Sequence, residues 1–252
     1  MIIFFSLLDI GIGNLYDHKI VHEFPYGFFA SDSFWWYVYS EHTYDVGNFK
    51  YRPFYDSFGH EDVVGTVPPV LFHLSAMFAH TSGFELHNTH LLLIVTMFCL
   101  SPLVFYFLVR KYNKNIAVLA LAITPLIFAK TSYYSVLWGK HIVITGGFFL
   151  VCFVWSLKEM DLKQFFIIIA IFLSATFISH PPEAIFGAGM ILLFIAYNYA
   201  VKRKIEIDTY KKIVFALLIV AVLSSYYFVD FINTFGVWQG ELGVDFSNAG
   251  VK

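Results

Sequence analysis

A few charged and imidazole side chains stand out in a chain that is otherwise strongly apolar. Asp32 opens the stretch Ser31–Gly47, in which Phe34, Trp35, Trp36, Tyr37 and Tyr39 lead on to Glu41, Asp45 and a glycine. On a helix beginning near Ser31, Asp32 falls in the first turn, where a carboxylate favours the positive end of the dipole. Glu41 and Asp45 are spaced i, i+4 and share one helical face. Tyr51, Arg52 and Asp56 follow, and far down the chain come the pairs Lys140–His141 and His180–Glu183, the latter enclosing Pro181 and Pro182. Carboxylates and imidazoles move protons or bind cations, and Lys and Arg hold anions. Each group also has a plainer reading. Asp32 could be a helix-start acid, Lys140 could snorkel to an interface, His180–Glu183 could be a tight turn, and Arg52 could lie in a solvated loop. Trp35, Trp36 and Tyr37 suit an interfacial anchor.

What must position these residues is a set of apolar helices. Of 252 residues, 58% are hydrophobic and 13% charged, about half the charged share of an ordinary soluble domain. Apolar blocks at about 88–109, 115–130, 140–157, 163–179, 184–201 and 211–230 approach or reach the roughly 20 residues that cross a bilayer. With a short first block, Met1–Leu15, the expectation is an all-α polytopic transmembrane bundle of about seven spans. It forms a single domain over 1–252, with a first loop at 16–87 and a bundle at 88–230. Met1–Leu15 lacks a basic start and a small-residue cleavage site, so it reads as a span rather than a signal peptide. Val67–Ala79 follows Pro68–Pro69 and is too short to span, so it reads as an amphipathic helix lying on the surface. The short first block and the ending at Lys252 suggest part of a longer chain. Cys99 and Cys152 sit inside apolar blocks and read as small core residues.

Charge orients the bundle. The separators at 110–114, 158–163 and 202–212 carry 3, 2 and 5 Lys/Arg, ten of the sixteen in the chain, and so belong inside the cell. The 16–87 loop, the 131–140 turn, the His180–Glu183 turn and the tail then lie outside. All ten histidines and half of the acids fall on that outer side. The loop histidines read mainly as surface residues, and the net charge of −2 gives no hint of a nucleic-acid partner.

An acid after the first span, an aromatic-rich helix ending in glycine, a polar stretch, then Pro-Pro and an apolar surface helix resemble the first external loop of GT-C-fold membrane glycosyltransferases. Within that group the chain is most similar to the catalytic subunit of oligosaccharyltransferase and its archaeal relatives. Asp32, Glu41, Asp45 and Gly47 fall on the pattern, which covers about residues 25–80; the remainder agrees by hydropathy and topology. The resemblance implies an enzyme of the outer face of the plasma membrane that transfers sugar from a polyprenyl-phosphate-linked donor. Asp32 would be its catalytic base or its ligand for a divalent metal, Mn or Mg. Arg52, Lys140, His141, His180 and Glu183 would line the substrate site, and the donor and membrane lipids would be the partners. Two features of the family are missing: residues 131–141 contain no acid, and no Trp-Trp-Asp motif follows the last span. The alternative is a non-catalytic scaffold or transporter whose outer loop binds a partner. Ion-coupled transporters place ionisable groups near the bilayer midplane, whereas here only Asp9 and Asp230 approach the spans, near their ends.

Overall fold

The computed structural model describes residues 8–9, 31–48, 50–54, 56–57, 63–65, 67–123, 139–158, 165–202 and 207–241. Most of the expected first span, the second half of the 115–130 block, the 131–138 turn and the tail after 241 lie outside the described residues. The described part is all-helical: α1 (Ser31–Val46), α2 (Val70–Ser82), α3 (Leu86–Arg110), α4 (Lys114–Ala122), α5 (His141–Lys158), α6 (Phe165–Ser179), α7 (Pro181–Lys202) and α8 (Ile207–Glu241). The only β pairing among these residues is an isolated antiparallel bridge between Tyr51 and Val64.

Three stretches are long and apolar enough to cross a membrane: Leu86–Arg110, Pro181–Val201 and Ile207–Asp230. At 1.5 Å per residue they extend about 37, 31 and 36 Å, against a hydrocarbon core of about 30 Å. Their outward faces carry large apolar side chains, among them Phe105, Phe107, Leu192, Leu193, Val222 and Val229. Such a coat is costly in water and suited to lipid. The chain is therefore a membrane protein with at least these three candidate spans. Helices α5 and α6 are at least as apolar but shorter, 18 and 15 residues, or about 27 and 22 Å.

Local sequence sets the helix ends. At Gly47 the backbone turns left-handed (φ 75°) and its N–H bonds to Thr43 O, closing α1. Gly83 (φ 71°) closes α2 in the same way through Ala79 O, and both are positions where a Cβ would be strained. Asn113 caps α4, its side chain accepting from the N–H groups of Asn115 and Ile116.

Two cores hold the helices together. One joins α1, α2 and α3 through Tyr39, Leu71, Phe72, Leu91, Ile94 and Val95, with Phe72 stacked between Trp36 and Tyr39. The other joins α5, α6, α7 and α8 through Phe153, Leu157, Ile169, Leu173, Ile191 and Ile213. Helix α5 links the two, packing on α3 as well as on α6 and α7. Helix α2 buries Leu71, Phe72, Ser75, Ala76 and Ala79 and exposes Met77 and Phe78. Its outward side is apolar at Met77 and Phe78 and polar at His80, Thr81 and Ser82. Cys99 and Cys152 are buried free thiols.

Candidate functional site

Asp32 occupies the first turn of α1, and its side chain is exposed. The neighbour that presses on this turn comes from a remote part of the chain. Gly139, with φ 82°, packs so tightly that a Cβ there would overlap Ser33 N and lie 2.7 Å from Asp32 C and 2.8 Å from Asp32 Cβ. Trp36, one helical turn on, donates its indole N–H to Gly139 O. The exposed Lys140 comes next and starts α5, its carbonyl accepting from Ile144 N at 3.0 Å. The residue before Lys140 thus lies directly against the first turn of α1.

Behind this contact lies a buried polar chain. His90 on α3 and His141 on α5 are both fully buried, and His90 Nε2 lies 3.0 Å from His141 Nδ1. His90 Nδ1 in turn faces Ser40 Oγ of α1 at 3.0 Å and Ser75 Oγ of α2 at 3.1 Å. Ser40 donates to Trp36 O, so it can accept from a His90 Nδ1–H. The simplest consistent arrangement then has His141 Nδ1–H donating to His90 Nε2. Four helices are tied at one point in an apolar surround, where an unmade hydrogen bond is expensive.

His141 is therefore turned inward and positions the turn; it does not present its ring beside Lys140. His90, expected among the surface residues, is the position sequence reasoning missed. A signal was present: His90 lies four residues into an apolar span, and polar groups there are generally satisfied by neighbouring helices. Naming Ser40 and Ser75 as its partners required the tertiary packing.

The other expected site residues fall into two separate places. His180 Nδ1 pairs with Glu183, and both sit against Gly146 of α5, where a Cβ would come 2.8 Å from His180 Cβ and 3.6 Å from Glu183 Oε2. Gly146 is five residues beyond His141, about 7.5 Å along the helix, so this pair lies at the same end of the bundle. Arg52 has an acidic neighbour of its own. It lies 4.0 Å from the buried Asp56, whose carboxylate accepts from Tyr39 OH. Tyr39 is seven residues along α1 from Asp32, about 10 Å. Nearby, burial first and the Glu41 carboxylate second push the Tyr37 hydroxyl up to about 12, and it donates to Glu41 Oε1 at 3.4 Å.

The donor set for a metal is sparse. Among the described residues, no three His, Cys, Asp or Glu side chains gather as a cation site, so Asp32 would need further ligands to hold Mn or Mg. The cation that the neighbouring turn does supply is Lys140. No protein family, curated protein or solved structure matches the chain.

Proposed function

We propose that the chain is a GT-C-type glycosyltransferase that takes a sugar from a polyprenyl-phosphate donor at the outer face of the plasma membrane. The observation that carries this reading is the packing of Gly139 onto the Asp32–Ser33 backbone, which sets an exposed carboxylate and an exposed lysine at one end of an apolar bundle. The resemblance of residues 25–80 to the first external loop of that family supplies the reaction class. The proposed topology has seven spans, with the loop at 16–87, the Lys140 turn and the His180–Glu183 turn outside.

In the proposed reaction the acceptor's hydroxyl or amide attacks the anomeric carbon of the donor sugar. Asp32 takes the proton that the acceptor loses. The bond from the anomeric carbon to the phosphate oxygen breaks, and the lipid phosphate leaves with the electron pair. Lys140 neutralises part of the charge on that leaving group, while His180 and Glu183 line the same end of the bundle. A divalent ion would add to this neutralisation when bound.

The test is sugar release from a polyprenyl-phosphate-linked donor in membranes containing wild type, Asp32→Asn or Lys140→Gln, with and without Mn²⁺ or Mg²⁺. General-base catalysis contributes about 10²–10⁴-fold, so Asp32→Asn is expected to lose about that factor while inserting normally. Equal release by wild type and Asp32→Asn would remove catalysis from this chain and leave the scaffold reading.

A further inference from the structure

We infer that the groove between the ends of α3, α5 and α7 remote from Asp32 is a seat for one anionic phospholipid. The inference rests on the membrane-spanning character of α3 and α7 and is independent of sugar transfer. The groove has a volume of about 240 Å³ and is walled by Leu108 and Tyr112 at the end of α3, Leu157 on α5, and Met190, Leu193 and Tyr197 on α7. It opens sideways, because Leu193 is 65% and Tyr197 54% exposed. Open apolar walls on spanning helices face hydrocarbon, and a concavity between three helices holds an acyl chain more firmly than a flat helix surface does.

Charge selects the headgroup. Helix α3 ends at Arg110. Residues 110–114 carry three basic residues and no acid, and Arg110, Lys111 and Lys114 are all exposed. Lys111 lies three residues beyond Leu108, on the same face as the groove wall, and is exposed. Basic residues at a membrane surface attract anionic lipid, and Tyr112 and Tyr197 stand at the rim, where amphipathic rings sit at headgroup level. The polyprenyl donor is the less suitable occupant. Leu157 is sixteen residues from His141 along α5 and Leu108 eighteen from His90 along α3, about 24 and 27 Å from the Asp32 end.

The test is native mass spectrometry of the full chain, purified in detergent and exposed to equal amounts of phosphatidylglycerol and phosphatidylcholine. One retained lipid per chain is expected, with phosphatidylglycerol favoured by at least about fivefold, the discrimination that one basic residue near the surface provides. Leu193→Trp fills the groove from an exposed position and is expected to abolish retention without changing the melting temperature. Should that variant fold poorly, Met190→Trp does the same from one turn earlier on the same wall. Arg110→Gln with Lys111→Gln is expected to bring the preference toward unity while retaining phosphatidylcholine. Equal retention of the two lipids by wild type, or undiminished retention by a folded Trp variant, overturns the inference. Displacement of phosphatidylglycerol by equimolar polyprenyl phosphate would give the groove to the donor, and a lipid-free dimer would give it to a second copy; either overturns it too.

Discussion

Replacing Gly139 by alanine tests the contact on which the candidate site depends. Two costs add at this position. A left-handed backbone conformation costs a residue with a Cβ about 1–2 kcal/mol. The new methyl would also meet backbone atoms of Asp32 and Ser33, the Asp32 C at 2.7 Å, and backbone cannot swing aside as the tip of a side chain can. Forcing an extra methyl into a closed site costs about 1–3 kcal/mol, giving an expected loss of about 2–5 kcal/mol. Gly47 and Gly83 provide internal controls, having the same sign of φ (75° and 71°) and nothing within 4 Å of a Cβ. Their alanine variants should lose only the conformational part, about 1–2 kcal/mol. Equilibrium unfolding of the detergent-solubilised protein, followed by far-UV circular dichroism, gives all three values. The same preparations assayed for sugar release should show the Gly139 variant losing far more activity than the Gly47 variant. If Gly139→Ala costs no more than Gly47→Ala, the turn does not press on α1, and the juxtaposition of Asp32 and Lys140 fails with it.

Other perturbations probe the surrounding structure. His90→Leu leaves His141 Nδ1 without the partner it has at 3.0 Å and should cost about 1–3 kcal/mol. In a double-mutant cycle with His141→Leu, the pair should cost less than the sum of the singles by at least about 0.5 kcal/mol; additive losses would deny the coupling. Burial holds the His73 imidazole below its usual value. The unfolded chain therefore binds the extra proton first as pH falls through about 6.5, and stability should drop between about pH 7.5 and the lower folded value. His73→Gln should flatten that slope, and an unchanged slope would place its origin elsewhere. Gly146→Ala would put a methyl 2.8 Å from His180 Cβ. It should lower stability by about 1–3 kcal/mol, and a melting temperature equal to wild type would mean that α5 and the His180 turn are not in close contact.

Much of the framework was legible in the sequence because it depends on local physics. The start of α1 at Ser31, with Asp32 in its first turn, follows from a short polar residue and an acid before an aromatic-rich run. Its stop at Gly47 follows from the one residue type that turns left-handed without strain. Long apolar runs at 88–109, 184–201 and 211–230 became α3, α7 and the apolar part of α8, since in lipid a helix alone satisfies its own backbone. Shorter runs were less decisive. The block at 163–179 became α6, only 15 residues long, because a run's apolar content does not fix where its helix begins and ends.

The site was legible as residue types but not as an arrangement. Asp32, Lys140, His180 and Glu183 could be nominated from charge and from which end of each helix they occupy. The placing of Arg52 beside Asp56 could not, because it depends on Tyr39 of α1 holding that carboxylate. Nor could the inward turn of His141, which needs His90, Ser40 and Ser75 from three other helices. The sequence by itself determined that these helices form, that their surfaces suit lipid, and at which helix ends the charges sit. Tertiary structure alone decided that a glycine 106 residues away from Ser33 would touch it, and that two imidazoles would meet in the interior. The reason is that hydropathy and helical period act within a few turns of chain, whereas close packing and the pairing of buried polar groups are settled only once the helices come together.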